Sequence, residues 1–244
     1  MNSSFAAPLS APTWYLPLQK PIFWWALGLT LLWDALGLDQ WVMAVIGTPQ
    51  GFPLRHHPFL ATVMHDRLRT VLLGFYGVAW LMVFWPRGVA RDLNRRQRWA
   101  AMVGVTLSLL IVSGLKRIST TSCPWDWQAF GGVAEPLSHW TWGVLDGGTG
   151  HCFPGGHASS ALAFLSIVWA ALTAESHAAK RWGRKLLWAV AGLGLLMGVV
   201  QTLRGAHPPS HTLWTAWICA AVGWVFVCAS RRWFEGSKVL RQSV

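Results

Sequence analysis

Charge is scarce in this chain. Only 12% of its 244 residues are charged, and nine of those are acidic. With 53% hydrophobic residues and a mean hydropathy of +0.38, this is the profile of a polytopic helical membrane protein. Lys and Arg are missing from the first 19 residues, which excludes the charged start of a secretory signal peptide. Those residues read as a short tail. No repeat, linker or low-complexity segment divides the chain, so residues 1–244 read as a single domain. Tight CxxC spacing is missing too, which removes the usual zinc-binding signature.

What is present is apolar length. Six stretches, roughly 21–38, 70–85, 99–115, 158–174, 185–203 and 210–229, each approach the ~20 residues a helix needs to cross a bilayer. The expected fold is therefore an all-α bundle of six transmembrane helices. Its 19 tryptophans are most simply interfacial anchors. The small residues of "AVAGLGLLMG" have helix-packing spacing. A net charge of +11 raises the question of nucleic acid, but the basic residues fall in blocks between apolar runs. They signal topology, and no nucleic-acid partner is expected.

Charge counting gives the orientation. The 1–20 tail, the "PRGVARDLNRRQRW" loop, "ESHAAKRWGRK" and the tail after Ser230 together hold 14 Lys or Arg against three acids. The other side holds six basic residues (Arg55, Arg67, Arg69, Lys116, Arg117, Arg204) and six acids. The positive-inside rule then places both termini in the cytoplasm. Compact Arg-rich loops and short tails fit a bacterial inner membrane with a periplasmic site.

Three segments on the outer side lead into even-numbered spans: "MHDRLRT", "CFPGGHASS" and "RGAHPPSHT". A helix N-terminus offers unpaired N–H groups and partial positive charge, together an anion site. Pro154 and Pro209 suit first-turn positions, and Ser159, Ser160 and Ser210 are candidate caps. Gly155 and Gly156 let an oxyanion approach the backbone. With Lys116 at the outer end of the third stretch, a phosphate-sized pocket is expected. The competing reading is a set of interfacial loops with snorkelling bases.

These residues resemble the type 2 phosphatidic acid phosphatase superfamily of membrane lipid phosphatases. That family's motifs are Lys-x6-Arg-Pro, Pro-Ser-Gly-His and Ser-Arg-x5-His-x3-Asp. Here "KRISTTSCP" keeps Lys116 and Pro124 but has Cys123 at the arginine position. "PGGH" has Gly155 for serine and keeps His157. "GAHPPSH" keeps His207, with His211 at the aspartate position and Gln201 at the arginine position. The likeness spans about residues 114–215 and looks like a divergent branch.

The resemblance implies a chemistry. His207 would attack phosphorus and form a phosphohistidine, and His157 would protonate the leaving oxygen. His211 would orient His207, as a neutral acceptor or by relaying to Asp126 or Asp146. Lys116 and the amides of Gly155 and Gly156 would hold the phosphoryl oxygens without a metal or cofactor. Arg204, Arg117, Arg67 and Arg69 are candidates to refill the missing arginine positions. The physical chemistry agrees, because imidazole is a competent nucleophile near neutral pH and a second histidine can act as acid. Expected substrates are the lipid phosphates of the outer leaflet: undecaprenyl diphosphate, phosphatidylglycerol phosphate, phosphatidate or lipid A. Phosphotransfer to another lipid, or a lipid-phosphate binder or transporter without turnover, are the alternative functions.

Other readings stay open at this level. His207 and His211, four residues apart, could share a helix face and bind a metal, with Cys123, Cys152 and His151 completing the site. Cys123 and Cys152 are either a disulfide or two buried thiols. Asp34, near the end of the first stretch, either contacts substrate or pairs with Arg67 or Arg69.

Overall fold

The computed structural model describes the backbone of residues 21–242 and the side chains of residues 23–230. Among the described residues there are eight α-helices: α1 (Pro21–Ala35), α2 (Leu38–Ile46), α3 (Leu68–Phe84), α4 (Arg95–Ile118), α5 (Gly156–Leu162), α6 (Leu165–Leu172), α7 (His177–Leu203) and α8 (Pro209–Gln242). No strand forms among the described residues, where two isolated bridges are the only extended pairings. The all-helical expectation is met.

Among the described residues, four helices are long and apolar enough to cross a membrane: Phe59–Phe84, Arg95–Ile118, His177–Leu203 and Pro209–Ser230. The bent pair α1 and α2 would be a fifth if counted as one span. The predicted boundaries change in three places. The first stretch ends as a helix at Ala35, a little before residue 38, and the chain then turns by 69° and continues as α2. Gly37, at φ +62°, supplies the left-handed turn. The second stretch starts far earlier, because a π-helical segment, Phe59–Arg67, runs directly into α3. "MHDRLRT" therefore lies inside a helix and not ahead of its N-terminus. The fourth is broken at Ala163 and Phe164 into α5 and α6.

Local chemistry sets the helix ends. Asn94 and Gln97 form a reciprocal capping box that starts α4, with both bonds at 2.9 Å. Ser176 accepts from the Ala179 N–H to start α7. Pro209 opens α8, where its missing N–H costs nothing.

The core joins α4 to α8. Val112, Ala158, Leu162, Leu165, Val168, Val190 and Cys219 are buried together there. The small residues of α7 allow the close approach. A Cβ at Gly194 would stand 2.4 Å from Leu162, and one at Gly198 would stand 2.4 Å from Thr212. By contrast, the Phe59–Phe84 helix exposes large apolar side chains such as Phe75 and Leu81. A surface of that kind needs a lipid neighbour or a partner. The arginine-rich loop and the start of α7 meet at one end of the bundle, where Ser176 donates to Asp92. Lys116, His157 and His207 belong to the other end.

Candidate active site

His207 sits in the short loop between α7 and α8. Gly205 ends α7 at φ +74°, and a Cβ there would stand 2.2 Å from Phe52, so both conformation and space demand glycine. The Gly205 carbonyl accepts from the Trp125 N–H, which ties this loop to the one that follows α4. Pro208 and Pro209 then lead into α8. His207 is held this way with 3% exposure.

Its Nδ1 lies 3.3 Å from Cys152 Sγ and 3.4 Å from His211 Nδ1. His211 is one helical turn further along and also buried. Its Nδ1 is 3.2 Å from the Cys152 carbonyl. Burial pushes the His207 imidazole well below its ordinary pKa, and nearby Lys116 and His157 push the same way. The ring is therefore neutral at pH 7. When His207 Nδ1 carries the proton and points it at the sulfur, Nε2 keeps a free lone pair.

His157 approaches from the first turn of α5. Its ring stacks on His65 of the π-helical segment, centroids 3.5 Å apart. Its Nε2 is buried without a hydrogen-bond partner among the described residues. The Lys116 side chain passes over Gly156, with Nζ 3.7 Å from where a Cβ there would stand. Lys116, Arg69, Arg204 and His65 are all close enough to act electrostatically on His157. The cluster is cationic on one side of the histidines, as an anion site requires.

Several expected roles shift in detail. The Gly155 N–H donates to the His211 carbonyl at 3.1 Å. It is not free for a phosphoryl oxygen, so the open amides of this helix start at Gly156. Ser159 and Ser160 donate to the Gly156 and His157 carbonyls and cap nothing. Ser210 is also no cap, since its N–H and hydroxyl both donate to the Asp39 carboxylate. Pro154 precedes the Gly155 N-cap and lies outside the first turn. Arg204 is half-buried and directs Nε to the Arg55 carbonyl and Nη1 to Gln201. Arg69 joins the cluster, whereas Arg67 and Arg117 are exposed and nothing connects them with the histidines.

Cys123 and Cys152 form a disulfide, Cα atoms 5.1 Å apart. It fastens the loop after α4 to the segment before His157. The thiol alternative is thereby set aside for the folded chain, and with it a thiolate metal site in this oxidised form.

Neither acid expected behind His211 is there. Asp146 accepts from the Ser122 N–H and hydroxyl at 2.6 and 2.7 Å, and Asp126 accepts from Thr149 at 3.1 Å. The acid on that side is Asp34. Its Oδ2 is 3.2 Å from His139 Nε2 and accepts from Trp214 and Trp140 at 2.7 and 3.0 Å. The His139 ring in turn meets His211 edge to face, centroids 5.6 Å apart. Asp34 is thus paired with His139, and not with Arg67 or Arg69. Three residues of this end escaped the sequence reading: His65, His139 and Asp39. His65 lay in a quoted segment, but only the observed helix register turns it onto His157.

No curated protein and no solved structure matches the chain. The sequence pattern of the PAP2 superfamily does, over residues 97–235. That stretch is more than half of the chain and contains Lys116, His157, His207 and His211, the groups gathered at this end of the bundle. With membrane-length apolar helices on the same polypeptide, the chain belongs to the PAP2 superfamily, a family of phosphatases.

Proposed function

We propose that this protein is an integral-membrane lipid phosphatase working through a phosphohistidine. One observation carries the reading: a buried neutral His207 and a buried, unpartnered His157 Nε2 share a cluster with Lys116. His207 Nε2 attacks phosphorus, and the P–O bond to the lipid breaks as His157, protonated once the anionic phosphate is bound beside it, delivers that proton to the leaving oxygen. Water, deprotonated by His157, then attacks the phosphohistidine and releases inorganic phosphate, restoring both rings. Lys116, Arg69, Arg204 and the amides from Gly156 onward face the negative oxygens. His211 orients His207, with Asp34 acting on His211 through His139.

A lipid substrate is supported by an apolar cavity of ≈480 Å³ between α3, α4, α5, α6 and α7. Leu72 and Ala161 line it, one turn from Arg69 and from His157. A chain lying there would place its phosphate at the histidines. The orientation follows the charge asymmetry, with basic loops cytoplasmic and the histidine end periplasmic in a bacterial inner membrane. Helices α5 and α6, 17 residues together (156–172), then serve as the sixth, short span.

The test is a panel of undecaprenyl diphosphate, phosphatidylglycerol phosphate, phosphatidate and lipid A, presented in detergent to purified protein. Release of inorganic phosphate is expected from at least one lipid, with acid-labile, base-stable phosphate trapped on wild type and absent from His207→Ala. A folded His207→Ala protein that releases phosphate at the wild-type rate would overturn the mechanism. Radiolabel appearing in a second lipid in place of inorganic phosphate would reassign the protein to phosphotransfer.

A further inference from the structure

The disulfide touches the histidine that the mechanism uses as nucleophile. Cys152 Sγ is 3.3 Å from His207 Nδ1, and Cys152 and His207 are 0% and 3% exposed. The ligand atoms of Cys123, Cys152 and His207 all lie within 4.8 Å of one another. Two sulfurs and an imidazole nitrogen at that spacing are a soft, zinc-type donor set. A tetrahedral zinc ion, with Zn–N near 2.0–2.1 Å and Zn–S near 2.3 Å, holds its ligands roughly 3.3–3.8 Å apart. The sulfur–nitrogen distance here already falls in that range. So does the 3.4 Å between His207 Nδ1 and His211 Nδ1, which makes His211 the nearest further donor. In the oxidised chain the bond between the two sulfurs prevents coordination.

We propose that the Cys123–Cys152 pair, once reduced, forms a zinc site with His207 that switches the nucleophile off. A dithiol reductant supplies two electrons and two protons. The S–S bond breaks, two thiols form and the reductant becomes a disulfide. Zn²⁺ then displaces both thiol protons and accepts the His207 Nδ1 lone pair. A metal on Nδ1 leaves the ring proton on Nε2, so the lone pair needed to attack phosphorus is gone. The oxidised pair offers no thiolate, and His207 keeps its nucleophilic lone pair. Cys123, 8% exposed against 0% for Cys152, is the sulfur a reductant reaches first. The switching half of this proposal rests on His207 being the nucleophile, while the zinc site itself does not.

The two halves are tested separately, on full-length protein in detergent carrying Cys219→Ala and Cys228→Ala, so that only the disulfide contributes thiols. Thiol titration should rise from none to two per chain on reduction with a phosphine, which binds zinc weakly. The reduced protein should then take up one Zn²⁺ per chain against a chromophoric chelator, and the oxidised protein none. Co²⁺ in place of zinc should give the visible absorption of a tetrahedral thiolate complex. His207→Ala should weaken zinc binding by at least roughly tenfold, the loss usual even for an outer-sphere partner. Cys123→Ser should do the same in the reduced state. Reduced protein with two titrated thiols that takes up no zinc would overturn the site. Equal zinc affinity in His207→Ala would remove His207 from it.

In the activity half, zinc should silence the reduced enzyme and leave the oxidised enzyme unaffected, with EDTA restoring the rate. Full activity in the zinc-loaded reduced protein would overturn the switch. An oxidised protein without phosphatase activity on any lipid, yet with zinc uptake on reduction, would sink the functional reading and uphold the site.

Discussion

His65 lies flat against His157, ring centroids 3.5 Å apart and planes 29° from parallel. This contact joins the π-helical segment ahead of α3 to the first turn of α5. It also places Asp66 beside the cluster, since His65 Nδ1 is 2.7 Å from Asp66 Oδ1. His157 Nε2 has no hydrogen bond among the described residues, so ring packing is what fixes where that nitrogen points. Stacked aromatic pairs contribute about 0.5–1.5 kcal/mol beyond area burial.

His65→Ala should therefore lower kcat by a few-fold to about tenfold, in line with losing one such contact. His65→Phe keeps the stacking surface and should recover most of the rate on lipid substrate. Equal rates in wild type and His65→Ala, measured at saturating lipid, would show that the stack positions nothing.

Arg204 acts electrostatically on His157, as Arg69 does, but two of its donors are already directed to Arg55 and Gln201. Arg204→Lys keeps charge and loses the planar fork. The expected deficit in kcat/KM corresponds to about 2–4 kcal/mol, typical of removing one charge-stabilising donor. A wild-type kcat/KM in Arg204→Lys would move the clamp to Arg69, which shares the cluster.

Behind the nucleophile, the chain His207, His211, His139, Asp34 ends on a carboxylate held by two tryptophans. His211→Ala should reduce kcat while leaving KM near wild type, because orientation is lost and substrate contacts are not. Asp34→Asn should show the same pattern at a smaller scale, about tenfold, as for an outer partner of a reacting group. A change in KM alone would point to substrate contact by Asp34 instead.

The pH profile offers an independent check. An unperturbed histidine is half protonated near pH 6.5, and protonated imidazole cannot attack phosphorus. Burial lowers the His207 pKa, so the nucleophile stays neutral below pH 6.5 and the acid limb of kcat/KM should lie below that value. An acid limb at or above pH 6.5 would contradict a buried, neutral His207. At fixed pH, EDTA should leave the oxidised enzyme's rate unchanged, and vanadate should inhibit as a mimic of pentavalent phosphorus.

Much of this molecule is readable one residue at a time. Apolar runs of membrane length can only be helices in lipid, where every backbone group must be satisfied locally. That argument marks both ends of α4, the end of α7 and the start of α8 to within a few residues. Motif spacing picks out Lys116, His157 and His207 because each stands at a helix end, and helix ends are punctuated by Gly, Pro and Asn. The break between α1 and α2 and the early π-helical start of the Phe59–Phe84 helix were not legible. Hydropathy reports apolar length, and neither a left-handed glycine nor a change of helical pitch alters it.

Partnership between distant segments was decided by the tertiary structure alone. Asp34 and His139 are far apart in sequence and meet only because α1 packs on α8 and the loop after α4 folds over both. Asp126 and Asp146, nearer in sequence to the motifs, are taken by Thr149 and Ser122. Cys123 and Cys152 were a pair or two thiols until their Cα atoms were seen 5.1 Å apart. Sequence spacing says which chemistry a chain carries. Which side chain answers which depends on helix rotation and loop closure, where a turn of about 100° per residue separates contact from exposure.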